Sequence, residues 1–143
     1  MMAFPLVVMD ASAALALLLS EEARTEVARI VEDTVAANGQ LFVPAVFWYE
    51  LENGMLNAER RNRMKREDVL AAGRLFSRLP FVTHGADDPV DRQRIHELAH
   101  LHGLSFYDAS YLELALRYQA RLATCDAHLL GLKDAFPALF PPA

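Results

Sequence analysis

The stretch Phe4 to Leu19, FPLVVMDASAALALLL, constrains this chain more than any other. It opens as a short apolar run, Leu6-Val7-Val8-Met9, which reads as a strand buried on both faces. The run ends at one acid, Asp10, and a second apolar run follows at once, with Ser12 placed to cap a helix through Leu19. No other ionisable side chain occurs before Glu21. In an open α/β sheet, ligands bind outside the carboxyl ends of the strands, which is where Asp10 falls. A carboxylate at the tip of a buried strand is costly unless something positive meets it. The rest of the chain is therefore read for what meets Asp10.

Glu21 to Ala37 has the spacing of an amphipathic helix, with Val27, Ile30 and Val31 inward and Asn38-Gly39 ending it. Leu41-Phe42-Val43 predicts a short strand, and Pro44 suits the first turn of a helix to about Ala58. Lys65 to Leu79 reads as a helix despite Gly73, and Phe81-Val82-Thr83 as a strand. Asp87-Asp88-Pro89 opens a helix that runs to about His102 and closes at Gly103. A helix over Tyr107 to Tyr118, a strand over Arg121 to Thr124 leading to Asp126, and a short helix over Ala127 to Leu132 follow. Phe136 to Phe140 is read as a last edge strand beside the Pro-rich end. Short apolar strands alternating with helices predict an α/β fold, a mainly parallel central sheet with helices on both faces. At 143 residues, 53% of them hydrophobic, the chain is long enough for a core and is expected to form a single domain over 1–143.

Three further acids stand out by position. Glu50, on the helix after the second strand, shares a side with Val46, Asn53, Gly54 and Asn57. Glu52 points about 160° away by the same helical arithmetic, so the two cannot serve one site. Asp108 has Tyr111, Leu112 and Ala115 as helical neighbours, an apolar side for an acid. It reads equally as an N-terminal acid favoured by the helix dipole. Asp126 follows a strand as Asp10 does, and also suits the cap of its short helix. Together, two acids beyond strand ends and two near helix N-termini can gather at one edge of the sheet. Four carboxylates do not share a site ionised without a cation. Hard oxygen ligands favour Mg²⁺ or Mn²⁺, and such centres serve phosphodiester hydrolysis.

The segments VVMDASA, PAVFWYELENGML, LSFYDASYLELA and LATCDAHLL, taken in order, resemble the four acidic motifs of the PIN-domain nucleases, most of all the VapC-type toxins of bacterial toxin–antitoxin pairs. The resemblance spans nearly the whole chain. It implies a three-layer α/β/α PIN-like fold, and Asp10, Glu50, Asp108 and Asp126 as catalytic, metal-binding acids. Ser12 and Thr124 become polar supports beside them. It further implies Mg²⁺- or Mn²⁺-dependent endoribonuclease activity, an RNA substrate, a cognate antitoxin as inhibitor and a homodimer. One departure is Gln119-Ala120, where family members often carry a Gly before the last strand.

A competing motif is His96-Glu97-Leu98-Ala99-His100, which matches the H-E-x-x-H pattern of zinc peptidases. The longer metzincin form needs a third ligand at position 106, which is Phe106. Val90, Ile95, Leu98, Ala99 and Leu101 define the apolar side of this helix, and His96 and His100 fall opposite, toward solvent. A third reading is a catalytically inactive PIN-fold binding module. The basic stretch carrying Arg60, Arg61, Arg63, Lys65 and Arg66 can hold RNA phosphates or simply be a solvated connection between helices. Phe47 is expected in the core, Cys125 is read as a small buried hydrophobe, and His128 can touch substrate or simply lie on a helix surface.

The net charge of −5 argues against a general DNA-coating protein. It is compatible with a nuclease, because acids of a metal site count as negative when the metal is left out. One cysteine permits no internal disulfide and fits a reducing compartment. Leu15 to Leu19 has signal-peptide character, but no Lys or Arg precedes Arg24 and Asp10 interrupts the apolar stretch. No run is long enough to span a membrane, so the expected location is cytoplasmic.

Overall fold

The computed structural model describes residues 5–19 and 23–142. Phe4 and the expected helix start at Glu21 lie outside the described residues. The elements in order are β1 (Leu6–Met9), α1 (Ala11–Leu18), α2 (Arg24–Ala36), β2 (Gln40–Pro44), α3 (Val46–Arg60), α4 (Arg66–Phe76), β3 (Phe81–His84), α5 (Pro89–His102), α6 (Phe106–Tyr118), β4 (Arg121–Ala123), α7 (Ala127–Leu130) and a 3₁₀ turn (Pro137–Leu139).

The four strands form one sheet in the order β3-β2-β1-β4, and all three pairings are parallel. Val7, Val8 and Met9 are all buried, so β1 is covered on both faces, as its unbroken apolar run requires. Helix α6 packs across β1, β2 and β4, with α5 on its outer side. Helices α2 and α3 reach β2 and hold α1 between them, which completes a three-layer α/β/α arrangement. Parallel strands all end at the same edge, so the carboxyl ends of β1 and β4, at Asp10 and Thr124, emerge side by side. Among the described residues no helix is long and apolar enough to cross a membrane.

Local chemistry accounts for most boundaries. Asp88 caps α5 by accepting from the Val90 N–H at 2.9 Å, Pro89 occupies the first turn, and Gly103 closes the helix at φ 64°. Gln119 ends α6 at φ 51°, the left-handed conformation that Gly adopts most easily. The turn into β4 is therefore made by a non-glycine residue in the left-handed region. Gly54 lets α3 approach α1, since a Cβ there meets a Leu15 methyl at 2.4 Å.

Four expectations need correction. Ser12 does not cap α1; Asp10 does, accepting from the Ala13 N–H, because its carboxylate sits one residue before the first helical turn. Pro44 is the last residue of β2, paired with His84, and α3 starts two residues later. Residues Phe136 to Phe140 form no strand. Pro137 opens a 3₁₀ turn, in which the Phe140 N–H bonds back to the Pro137 carbonyl; a proline offers no N–H to a sheet ladder. Val90 and Leu101, read as inward, are 52% and 75% exposed, while Ile95 is buried.

Two glycines give opposite tests of this packing. A Cβ on Gly39 lies 2.2 Å from the Pro5 carbonyl oxygen, a backbone atom that cannot rotate away. Gly73, inside α4, has nothing within 4 Å. In urea unfolding, Gly39→Ala is expected to destabilise by about 1–3 kcal/mol, and Gly73→Ala to stabilise by about 0.5–1 kcal/mol. Equal effects of one sign would refute the close approach of β2 to the Pro5 carbonyl.

Candidate active site

Asp10 is 4% exposed and stands at the carboxyl end of β1. Its Oδ1 accepts from the Ala13 N–H at 2.9 Å and from the Ser12 hydroxyl at 2.6 Å. Its Oδ2 accepts from the Thr124 hydroxyl. Each hydroxyl has one proton, and both are directed at Asp10 by backbone donors behind them. The Cys125 N–H donates to Ser12 Oγ at 2.8 Å, and the Asp126 N–H to Thr124 Oγ1 at 3.0 Å. Ser12 and Thr124 both donate to the Asp10 carboxylate. The Asp10 N–H donates to the Ala123 carbonyl at 3.1 Å, so backbone and side chain alike tie β1 to β4.

Glu50 lies one turn into α3 and is partly buried; its Oε1 accepts from the Tyr111 hydroxyl of α6 at 2.7 Å. Asp108 lies in the first turn of α6, after the Ser105 cap that accepts from its N–H at 3.0 Å. Asp126 caps α7 by accepting from the Leu129 N–H at 3.2 Å. Asp126 is therefore a helix cap, and its charge also acts on Asp108.

The four carboxylates act on one another. Burial is the largest cause that raises the pKa of Asp10, Glu50 and Asp108 above the ordinary carboxylate value. For Asp10 it outweighs the bonds from Ser12, Thr124 and Ala13, and Asp126 adds to it. Glu50 is pushed further up by Asp108, Asp10 and Asp126, against the Tyr111 bond. Asp108 is pushed up by Asp126 and relieved by His128 and Ser105. The Tyr111 phenol is held far above its usual value by burial and by Glu50, so it stays protonated and keeps donating. Among the described residues, the charges that act on Asp10 and Glu50 are carboxylates, and the donors are hard carboxylate oxygens, a set that suits Mg²⁺ or Mn²⁺.

Among the described residues, one trio of potential ligands brings its atoms within 4.8 Å of one another: Asp108, Asp126 and His128. The structure thus joins two of the four predicted acids directly. Asp10 and Glu50 border them, coupled by charge and held by hydroxyl groups. One residue of this site was missed as a partner in the sequence. Tyr111 looks like a core residue at helical spacing from Asp108, and nothing local announces a bond to Glu50, 61 positions away. His128, read as able to touch substrate or as helix surface, is exposed, with Nδ1 3.8 Å from Asp126.

The other sequence candidates lie elsewhere. His96, Glu97 and His100 are exposed on α5, and the His96 ring rests on Phe106 with centroids 5.2 Å apart. Among the described residues, no cluster of potential metal ligands includes His96, Glu97 or His100. Phe47 is fully buried as expected, Tyr49 is 80% exposed, and Cys125 is half-buried rather than buried. Arg61 and Arg63 share a cleft with Ser12, Gly54 and Asn57, on the α1 side of the acids.

The PIN domain family model matches residues 7–134. No curated protein matches the chain. Among solved structures, the chain is similar to PAE2754 from Pyrobaculum aerophilum, with 24% identity, a TM-score of 0.66, and coverage of 89% of this chain and 78% of that one. It is also similar to VapC20 of Mycobacterium tuberculosis, described as a Sarcin-Ricin loop cleaving toxin, with 14% identity, a TM-score of 0.62, and coverage of 87% and 93%. At these identities the two structures bear on fold alone.

The raised pKa values set a pH dependence. An acid whose folded pKa exceeds its unfolded value opposes folding once pH is above the folded pKa, and the penalty disappears as pH falls toward the unfolded value. With chelator present, the protein is expected to melt higher on modest acidification from neutral, and Asp108→Asn is expected to raise the neutral-pH melting temperature. A lower melting temperature for Asp108→Asn would mean that Asp108 serves only its helix. The double change His96→Ala and His100→Ala, made on exposed positions, is expected to shift stability by no more than ~0.5 kcal/mol. Loss of stoichiometric zinc on that change would restore the peptidase reading.

Proposed function

The chain belongs to the PIN domain family, and from that premise we propose that it is a divalent-metal-dependent endoribonuclease, the VapC-type toxin of a toxin–antitoxin pair. The observation that carries the proposal is the convergence of Asp10, Glu50, Asp108 and Asp126, from four separate elements, at the carboxyl edge of a parallel sheet where they are mutually coupled. The neighbour VapC20, a toxin by its description, supports the toxin reading.

In this proposal the four acids hold Mg²⁺ or Mn²⁺. Such a cation, when bound, supplies Lewis-acid stabilisation of charge at a phosphodiester and lowers the pKa of water. The chain's own residues do the rest. Ser12, Ala13 and Thr124 fix the Asp10 carboxylate so that its remaining lone pairs face the cluster. Tyr111 does the same for Glu50 from a second helix. Fixed acids do not need to reorganise as charge develops, which is where electrostatic catalysis gains most. Asp10 or Asp108, both with raised pKa, accepts the proton of the attacking water. Arg61 and Arg63, on the rim of the cleft beside Ser12, hold backbone phosphates of the RNA. The cognate antitoxin inhibits by covering the acids, with an arginine that pairs with a carboxylate in place of metal. The protein acts in the cytoplasm as a homodimer.

Asp10→Asn is expected to reduce Mg²⁺- or Mn²⁺-dependent RNA cleavage to background while the fold is kept; cleavage at the wild-type rate would sink the proposal. An inactive binding module would show no cleavage in wild type either. Thr124→Val removes a support and not a ligand, so it is expected to cost roughly 10–100-fold in activity or metal affinity. A Thr124→Val protein as active as wild type would mean that the hydrogen bond to Asp10 is structural only.

A further inference from the structure

The trio Asp108, Asp126 and His128 differs from the acid cluster in one chemical respect: it contains a nitrogen donor. Of the five histidines in the chain, His84, His96, His100 and His102 lie on β3 and α5, whereas His128 lies in the first turn of α7, two residues after Asp126. Its Nδ1 is 3.8 Å from Asp126 Oδ2, too far for a hydrogen bond, and a ligand atom of each of the three residues lies within 4.8 Å of the others. The side chain is 78% exposed, which leaves the ring room to turn and close on a cation. The Asp126 carboxylate is held by the Leu129 N–H and Asp108 lies in the first turn of α6, so carboxylates from two elements meet one exposed imidazole.

We propose that His128 is a nitrogen ligand of the divalent cation held by Asp108 and Asp126, and that it biases the site toward transition-series cations such as Mn²⁺ over Mg²⁺. The proposal rests on the divalent-metal reading of the acids and deepens it. Its basis is ligand chemistry. Carboxylate oxygens alone serve Mg²⁺ and Mn²⁺ alike, whereas imidazole adds affinity for transition metals and gives little to the hard, strongly hydrated Mg²⁺. A site of Asp108 and Asp126 alone has no such preference. With His128 added, its selectivity is set by one exposed residue outside the four acids.

The test uses the full chain with Mn²⁺ or Mg²⁺ as the only added ligand. Calorimetric titration gives the Kd of each cation, and pulsed electron paramagnetic resonance of the Mn²⁺-loaded protein reads coupling to ¹⁴N directly. Wild type, His128→Ala and His128→Asp are compared, after thermal melts in chelator show that all three fold alike; exposure of His128 makes that the expected result. Wild type is expected to show ¹⁴N coupling and tighter binding of Mn²⁺ than of Mg²⁺. Both variants are expected to lose the coupling. In His128→Ala the ratio of Mg²⁺ to Mn²⁺ dissociation constants is expected to fall on the order of tenfold, within the range that metal-site support residues command. His128→Asp is expected to keep Mn²⁺ binding through oxygen while losing the selectivity. Mn²⁺ bound to wild type without ¹⁴N coupling, or a coupling that persists in His128→Ala, overturns the role of His128 and leaves the acid site standing. Failure of wild type to bind either cation overturns the metal reading itself, a different and separable result.

Discussion

The buried carboxylate of Asp10 and the two hydroxyl groups that hold it are the interaction on which the rest of this structure depends. Asp10 lies where β1 ends, α1 begins and β4 passes alongside. Its side chain caps α1 through the Ala13 N–H and receives the Ser12 and Thr124 hydroxyls. Those hydroxyls in turn take the N–H groups of Cys125 and Asp126, in the segment that leads to α7. One carboxylate therefore organises a helix start, a strand pair and the position of the fourth acid. Buried polar groups of this kind are costly when partly satisfied and specify structure when fully satisfied.

The charge that acts on Asp10 among the described residues is another carboxylate, Asp126, and a second buried carboxylate in the same protein shows the contrast. Glu113, in α6, is 3% exposed and bonded twice by Arg117, at 3.0 and 2.8 Å, with Arg94 of α5 at 3.5 Å. Arg94 and Arg117 also reach Asp91. That network neutralises itself and locks α5 onto α6. Around Asp10, Glu50 and Asp108 the charges that act are other carboxylates, with His128 relieving Asp108. A fold able to neutralise a buried acid with arginines in one place, and leaving acids to repel one another in another, stores an unfavourable term at the second. Such terms are characteristic of functional sites.

The elements that carry the acids are joined by rigid devices. Gly54 brings α3 against α1, and the Tyr111–Glu50 bond ties α3 to α6. Thr124 ties β4 to β1. Asp10 and Glu50 are each held by a long-range side-chain bond, whereas Asp108 and Asp126 are set by the local bonds that start α6 and α7. His128 stands apart, exposed in the first turn of α7 beside Asp126.

By itself, the sequence determined most of the element pattern and singled out the four acids as candidates. Unbroken apolar runs, Asp88-Pro89 and Gly103 as helix punctuation, and acids set just after strands or near helix starts are local signals, written within a few residues. Its errors were local too: Ser12 taken for the cap that Asp10 provides, Pro44 assigned to α3, and Phe136 to Phe140 read as a strand although Pro137 gives no N–H to a ladder. Only the tertiary structure decided the strand order β3-β2-β1-β4, which sets Asp10 beside Thr124, 114 positions away. It alone distinguished Glu113, neutralised by Arg117 and Arg94, from Asp108, an acid on the same helix that faces other acids. It alone gave Glu50 its Tyr111 partner and turned His128 toward Asp126. The reason is physical: the state of a carboxylate depends on burial and on charges within a few ångströms, and these are supplied by residues that only folding brings near.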